Sequence, residues 1–493
     1  MSTLEKKLYQ LIISRIDGEK LTSDTYQEQA LTLVQKGIGG FILFGGRKEM
    51  VKSFTDMVQT VAETPLFIAS DIERGAGQQI AGAARFPCQM AAAAAVDRNS
   101  AEDIDMLKNA LRAVAEEAIG IGINMPLIPV LDVNRNPDNP IICTRAFSDD
   151  PEAVAWFGRL YIRVLEDAGL ISCAKHFPGH GDTDIDSHIS LPVISKSMKE
   201  LTAADIFPFR EAIKEKVSSI MVGHLAIPAI DTLPASLSEK VITGLLRKEL
   251  GYEGLILTDA LNMHALNKFG NVPSACMNAG MDILLHPADA DTVVNELEQA
   301  IASGEVKEAT IDTAVGRILK FKTGISSIRN AAADTGQQEP SGLLYDRSIT
   351  LVKGVPGLFP LADLGDASFI YHCDRDDFDV SPLAEVSSGA LLKLKHADLN
   401  ALKGIAVIAL FTNAAAWRGS TGIDDEAVAA VRHIMKKARA AVIVSFGSPY
   451  VLRHFSEADA LVAAYGSDRP AQLSVIKCLR GENQFRGRLP VRL

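Results

Sequence analysis

Short apolar runs, bounded by glycine, proline or acidic residues, alternate along the first two thirds of the chain with longer stretches whose apolar positions recur at helical spacing. The runs are Gly37–Gly46, Pro65–Ser70, Ile123–Val133, Gly169–Ala174, Ser218–His224, Gly254–Thr258 and Met281–Leu285. Each reads as a strand buried on both faces, because a strand covered on one side only would alternate polar and apolar positions. The intervening stretches, among them Ala101–Ile119, Pro151–Ala168 and Ala203–Glu215, read as amphipathic helices. Seven βα alternations from Gly37 to Phe321 predict an α/β fold, a (β/α)8 TIM-type barrel with one strand unplaced. Leu8–Ile16, which carries Gln10, Ser14 and Arg15, reads as an amphipathic segment ahead of the first strand.

Past the last alternation, Gly324–Leu343 is rich in Ser, Ala, Gln, Gly and Pro and reads as a linker. Four further apolar runs, Ser348–Val352, Ser368–His372, Ile405–Phe411 and Ala440–Phe446, with a helix over Asp424–Lys437, predict a smaller α/β sandwich domain. The expected organisation is a barrel over 1–324, a linker over 325–344 and a second domain over 345–493. Gly447 stands without the lysine of a phosphate-binding loop.

Polar chemistry gathers where the predicted strands end, which is where α/β folds place their sites. Lys175–Pro192 reads K-H-F-P-G-H-G-D-T-D-I-D-S-H-I-S-L-P and opens from a strand end into a long loop. His180, Asp182 and Asp184 read as a polar, solvated part of that loop. Asp186 and His188 differ, because a carboxylate two residues from an imidazole can fix its tautomer and keep it basic enough to move a proton. Metal binding by His176, His180, Asp182, Asp186 and His188 is the competing reading, and neither paired helical histidines nor a cysteine cluster supports it. Asp71 and Asp259 each leave a buried strand, either as helix caps or as functional carboxylates. Arg145 is a surface ion-pair partner or a fork of donors for hydroxyls. Asp132 reads as a structural carboxylate near the site, and His224 as a core histidine.

Charge and composition narrow the partners. A formal net charge of −11 and a pI near 5.5 argue against nucleic acid or an anionic membrane surface. No apolar run is long enough to span a bilayer, and the first residues carry no signal-peptide pattern. Six well-separated cysteines, none in C-x-x-C spacing, suit reduced thiols in a cytoplasm.

The string K-H-F-P-G-H-G, four residues, then D-S-H resembles the signature loop of the family 3 glycoside hydrolases, in their β-N-acetylglucosaminidase branch. The segment L-T-D-A-L-x-M around Asp259 is similar to that family's nucleophile motif, and R-A-F after P-V-L-D to its substrate-binding arginine segment. The resemblance implies a retaining exo-β-N-acetylglucosaminidase with Asp259 as nucleophile and His188, tuned by Asp186, as proton donor. It gives Asp71, Arg145, Lys175 and His176 to sugar binding, and it requires no cofactor and no metal. The expected substrate is a small carbohydrate bearing terminal β-linked GlcNAc from peptidoglycan fragments in cell-wall recycling. Gln79 departs from the pattern, since the family usually has an arginine there, and only a rearranged loop would let Arg85 compensate. Phosphorolysis, β-glucosidase activity and carbohydrate binding without catalysis are the alternatives, the last disfavoured because Asp259 and His188 are both present.

Overall fold

The computed structural model describes residues 2–183, 190–325, 341–361, 364, 367–375, 378–387, 391–396, 402, 404–412 and 422–493. The chain divides into two compact units. The first comprises residues 1–86, 108–133 and 151–338, and the second 87–107, 134–150 and 339–493. The linker expected over 325–344 falls mostly outside the described residues, and Ser341–Ser348 is a helix.

Among the described residues, the first unit contains eight parallel strands: β1 (Ile12–Asp17), β2 (Gly40–Phe44), β3 (Phe67–Ser70), β4 (Met125–Pro126), β5 (Cys173–Phe177), β6 (Ser219–Val222), β7 (Leu255–Thr258) and β8 (Leu284–Leu285). They form a five-stranded sheet in the order β4-β3-β2-β1-β8 and a three-stranded sheet β5-β6-β7. Two parallel bridges, Val130 with Lys175 and Leu257 with Ile283, join the sheets so that neighbours follow in cyclic order from β1 to β8.

The strand missing from the sequence reading is β1. Leu8–Ile16 is not one amphipathic segment: helix Thr3–Gln10 ends and the strand begins at Ile12, with Ile13 paired to Gly40 and to Leu285. Ser14 and Arg15 hide it, because they interrupt the apolar run toward the strand's carboxyl end. The expected strand Ile123–Val133 is regular only at Met125–Pro126. Pro126 and Pro129 have no N–H to give a ladder, and pairing continues through Leu131 N–H to the Lys175 carbonyl and Lys175 N–H to the Pro129 carbonyl.

A buried acid ties the late helices of this unit to β7. Asp282, fully buried, accepts from Arg247 at 2.5 Å, Arg317 at 2.9 Å and the Ile256 backbone at 2.8 Å. Burial still raises its carboxyl above the ordinary range, against the pull of the two guanidinium groups.

In the second unit β9 (Thr350–Gly354) runs antiparallel to β14 (Ala460–Ala463), on the edge of a sheet ordered β11-β10-β12-β13-β14-β9. The parallel members are β10 (Ser368–Cys373), β11 (Leu392–Lys393), β12 (Ile405–Thr412) and β13 (Ala440–Gly447), with β14. β11 and β14 were not expected from the sequence. Two of the apolar clusters in this unit include residues of its sheet. Ile408, Leu410 and Val431 belong to one, and Val407, Phe411 and Val475 to the other. The alternation along β12 between the two clusters explains its unbroken apolar run.

Lys322 closes helix Glu308–Lys322 in the first unit and is only 1 % exposed. Its Nζ donates to Gln10 Oε1 at 2.8 Å and lies 5.0 Å from the Phe67 ring centroid. Burial pushes its pKa down to about 7. An unfolded chain keeps that proton to about pH 10.4, so between the two values the unfolded state binds more protons and stability rises with pH. Lys322→Met should therefore raise stability near pH 7 by about 2 kcal/mol, the relieved desolvation less the lost hydrogen bond. Chemical denaturation at pH 7 and pH 9 checks this: the wild type should gain stability over the interval, and the variant should lack that gain.

Candidate active site

The segment beyond β4 delivers Asp132 into the interior beside the loop that follows β5. Its fully buried carboxylate accepts three hydrogen bonds: from His176 Nδ1 at 2.8 Å, from the His176 backbone at 3.2 Å and from the His180 backbone at 2.7 Å. A carboxylate can only accept, so Nδ1 carries the proton that faces Asp132 and the ring's orientation is fixed by that bond. Burial opposes the charge on Asp132, but the His176 imidazole and the His180 N–H outweigh it and hold its carboxyl below the usual range. The expectation of a structural carboxylate beside the site matches this placement.

The solvated reading of His180 is overturned. Its ring is buried, with Nδ1 2.8 Å from Thr183 Oγ1, and Thr183 in turn donates to the His180 carbonyl at 3.1 Å. Asp132 draws the loop backbone inward, and Gly181 permits the approach, since a Cβ there would stand 2.0 Å from the Val133 carbonyl oxygen. Burial lowers the His180 pKa to about 4, so the ring is neutral at ordinary pH. Asp182 keeps partial exposure and pairs with Lys196 at 2.9 Å. Asp184, Asp186 and His188 lie outside the described residues.

Lys175 is buried in β5, and its ammonium meets Asp71 at 2.6 Å and Glu73 at 2.8 Å, both just beyond β3. Two carboxylates offset the cost of burying one cation, and the ammonium in turn orients Asp71, which stays partly exposed. Asp71 caps no helix: a short turn at Ala76–Gln78 is the next helical element.

Asp259 leaves β7 half-buried. Its backbone N–H donates to the Val222 carbonyl at 3.0 Å, and its Oδ1 accepts from the Ala260 backbone at 2.7 Å. Capping is again not its role, because the next α-helix is Val272–Ala279. One residue after Val222, Gly223 donates to the Phe177 carbonyl at 3.0 Å, and a Cβ on it would lie 3.2 Å from His176 Cβ. The ends of β5, β6 and β7 thus bring His176 and Asp259 to neighbouring positions.

His224 is a core histidine, as expected, bonded to Ser236 at 2.8 Å and to the Ala260 carbonyl at 3.2 Å. It braces the residue that follows Asp259. Arg145 falls in the second unit, where its Nη1 donates to the Ile141 carbonyl at 3.1 Å and its own carbonyl accepts from Gln89. Gln79 ends the Ala76–Gln78 turn, and Arg85, exposed, donates from Nε to the Gly77 carbonyl at 2.9 Å. Two residues at this end of the strands were missed: His286, directly after β8, and Asn262, whose Nδ2 lies 3.4 Å from His286 Nε2. For His286 the signal was position alone, the first residue past a predicted strand, the same place that singled out Asp71 and Asp259.

Among the described residues, no three His, Cys, Asp or Glu side chains are grouped to hold a metal ion. Nor is any described helix long and apolar enough to cross a membrane.

Comparison with known proteins places this geometry in context. Residues 3–321 match the Glycosyl hydrolase family 3 N terminal domain. Beta-hexosaminidase A of Pseudoalteromonas piscicida is 34% identical over 380 residues, which cover 69% of this chain and 63% of that relative. The structure of a glycoside hydrolase family 3 beta-N-acetylglucosaminidase from Paenibacillus sp. str. FPU-7 superposes with a TM-score of 0.85 at 28% identity, covering 100% of this chain and 99% of the other. A beta-glucoside phosphorylase shares the fold at a TM-score of 0.86 and 20% identity, over 100% of this chain and 94% of its own. With the family match extending over well more than half of its length, this chain belongs to glycosyl hydrolase family 3.

Proposed function

We propose that the protein is a retaining exo-β-N-acetylglucosaminidase, built on a (β/α)8 barrel, that removes terminal β-linked GlcNAc from peptidoglycan fragments in the cytoplasm during cell-wall recycling. The observation that carries the reading is the juxtaposition of Asp259 with the cluster His176–Asp132 and Lys175–Asp71 at the carboxyl ends of parallel strands. Relatives named for β-hexosaminidase and β-N-acetylglucosaminidase activity support the choice of sugar.

In the first step Asp259 attacks the anomeric carbon. The bond to the departing oxygen breaks, and His188 gives that oxygen its proton. In the second step His188, oriented by Asp186, takes a proton from water, the water oxygen displaces Asp259, and two inversions leave the configuration retained. Asp71, held by Lys175, accepts from a sugar hydroxyl. His176, its ring oriented by the bond from Nδ1 to Asp132, meets another through Nε2. A histidine acid carries no negative charge to repel an incoming anion, so phosphorolysis is the second reading, and rates with and without phosphate separate it from hydrolysis.

Asp259→Asn should lower turnover of p-nitrophenyl N-acetylglucosaminide more than about 10³-fold while preserving the circular dichroism spectrum. Mass spectrometry after reaction with a slow fluorinated N-acetylglucosaminide should find the label on the Asp259 peptide, and a label on another carboxylate would refute the assignment. His188→Ala should slow poor leaving groups about 10²- to 10⁴-fold and dinitrophenyl glycosides far less. Azide should restore its turnover and yield a glycosyl azide of retained configuration. Equal losses across all leaving groups, with no azide effect, would remove His188 from proton transfer.

A further inference from the structure

Phe44 ends β2, and its ring has two polar neighbours from adjoining strands. The Arg15 guanidinium of β1 lies 4.8 Å from its centroid, and the His286 ring stands 5.7 Å away at an interplanar angle of 41°. The register fixes this grouping: Arg15 pairs with Ile42, Ile13 pairs with Leu285, and His286 N–H donates to the Ile13 carbonyl at 2.8 Å. His286 holds a left-handed backbone at φ +49°, a conformation that costs a non-glycine residue about 1 kcal/mol or more and that persists where its surroundings enforce it.

The group belongs to the catalytic end of the strands. Asp71 and Asp259 both act electrostatically on His286, and Asn262 touches it. Burial first, and then Arg15, push the His286 pKa down to about 4 against the pull of those carboxylates, so the imidazole is neutral. The positive charge on this side of the site is therefore carried by Arg15. Lys175 is buried and engaged by Asp71 and Glu73, whereas Arg15 is exposed and has no carboxylate within ion-pair distance among the described residues. An aromatic face under a guanidinium holds its plane and leaves the donor edge for a bidentate acceptor. On a chain of net charge −11, an anionic substrate gains from such a local cation.

We propose that Arg15, seated on Phe44 and backed by a neutral His286, is a specificity residue that recognises a carboxylate on the leaving-group side of the substrate. The inference rests on the N-acetylglucosaminidase reading and deepens it. Arg15, Asp71 and Asp259 all act on His286, so Arg15 shares the end of the strands that carries the proposed sugar site. The lactyl carboxylate of a muramic-type sugar has the charge and planar geometry the guanidinium fits.

The test compares one disaccharide, GlcNAc β-1,4-linked to muramic acid, with the lactyl group free or as its methyl ester, together with p-nitrophenyl N-acetylglucosaminide. In the wild type the acid should have a KM about tenfold or more below that of the ester, as expected for a charge-assisted pair. Arg15→Gln should bring the ratio of the two KM values near one, and Arg15→Lys should keep part of it. An acid-to-ester ratio near one in the wild type, or a ratio unchanged in Arg15→Gln, overturns the inference while hydrolysis of the aryl glycoside leaves the glycosidase reading standing. No hydrolysis of any of the three substrates overturns both.

Discussion

A single buried carboxylate organises this site. Asp132 has left water entirely, a cost of several kcal/mol for an unpaired charge, and it is tolerable because three N–H donors from the next strand and its loop converge on it. The same three bonds decide the shape of that loop, which folds inward at His180, and the orientation of the His176 ring. Removing the acid would leave two histidines and a glycine-rich turn with no reason to hold their arrangement. The geometry around Lys175, whose backbone pairs on both sides of this segment, depends on it in turn.

Much of this was legible in the order of residues, and the exceptions have physical causes. Strands sheltered on both faces advertise themselves as apolar runs, so β2, β3 and β6 to β8 were readable to within a few residues, whereas β5, expected over Gly169–Ala174, lies at Cys173–Phe177 because pairing continues through the polar Lys175 and His176. β1 was not, because Ser14 and Arg15 interrupt its apolar run, and β4 was overdrawn because prolines break its ladder while keeping its apolar character. Asp71, Lys175, His176 and Asp259 were singled out as strand-end residues, and the structure gathers them in the first unit. His180 was misjudged, since no local pattern announces that a carboxylate more than a loop away will bury it. His286 was passed over because a lone histidine after a short apolar run carries no motif.

The second unit shows the other limit of sequence reading. Its parallel strands follow the order 2-1-3-4-5 when counted from β10, a doubly wound arrangement in which the chain reverses its course across the sheet between the second strand and the third. Apolar runs gave three of these five strands and the antiparallel edge strand β9. The pairing order could not be read from them, because strand order is decided by which faces the helices cover rather than by any property of one strand.

Residues 87–107 and 134–150 precede most of the first unit in the chain but pack with the second, where Met90, Ala91, Ala94 and Cys143 share an apolar cluster with Ile408, Leu410 and Tyr450. On the ribosome these two segments emerge long before their partners in β12 and β13. At about 5–20 residues per second they wait on the order of tens of seconds with their apolar side chains uncovered. Synthesis thus imposes an interval in which the nascent chain presents a sticky surface that only its own C-terminal third can cover, a vulnerability set by connectivity rather than by final stability.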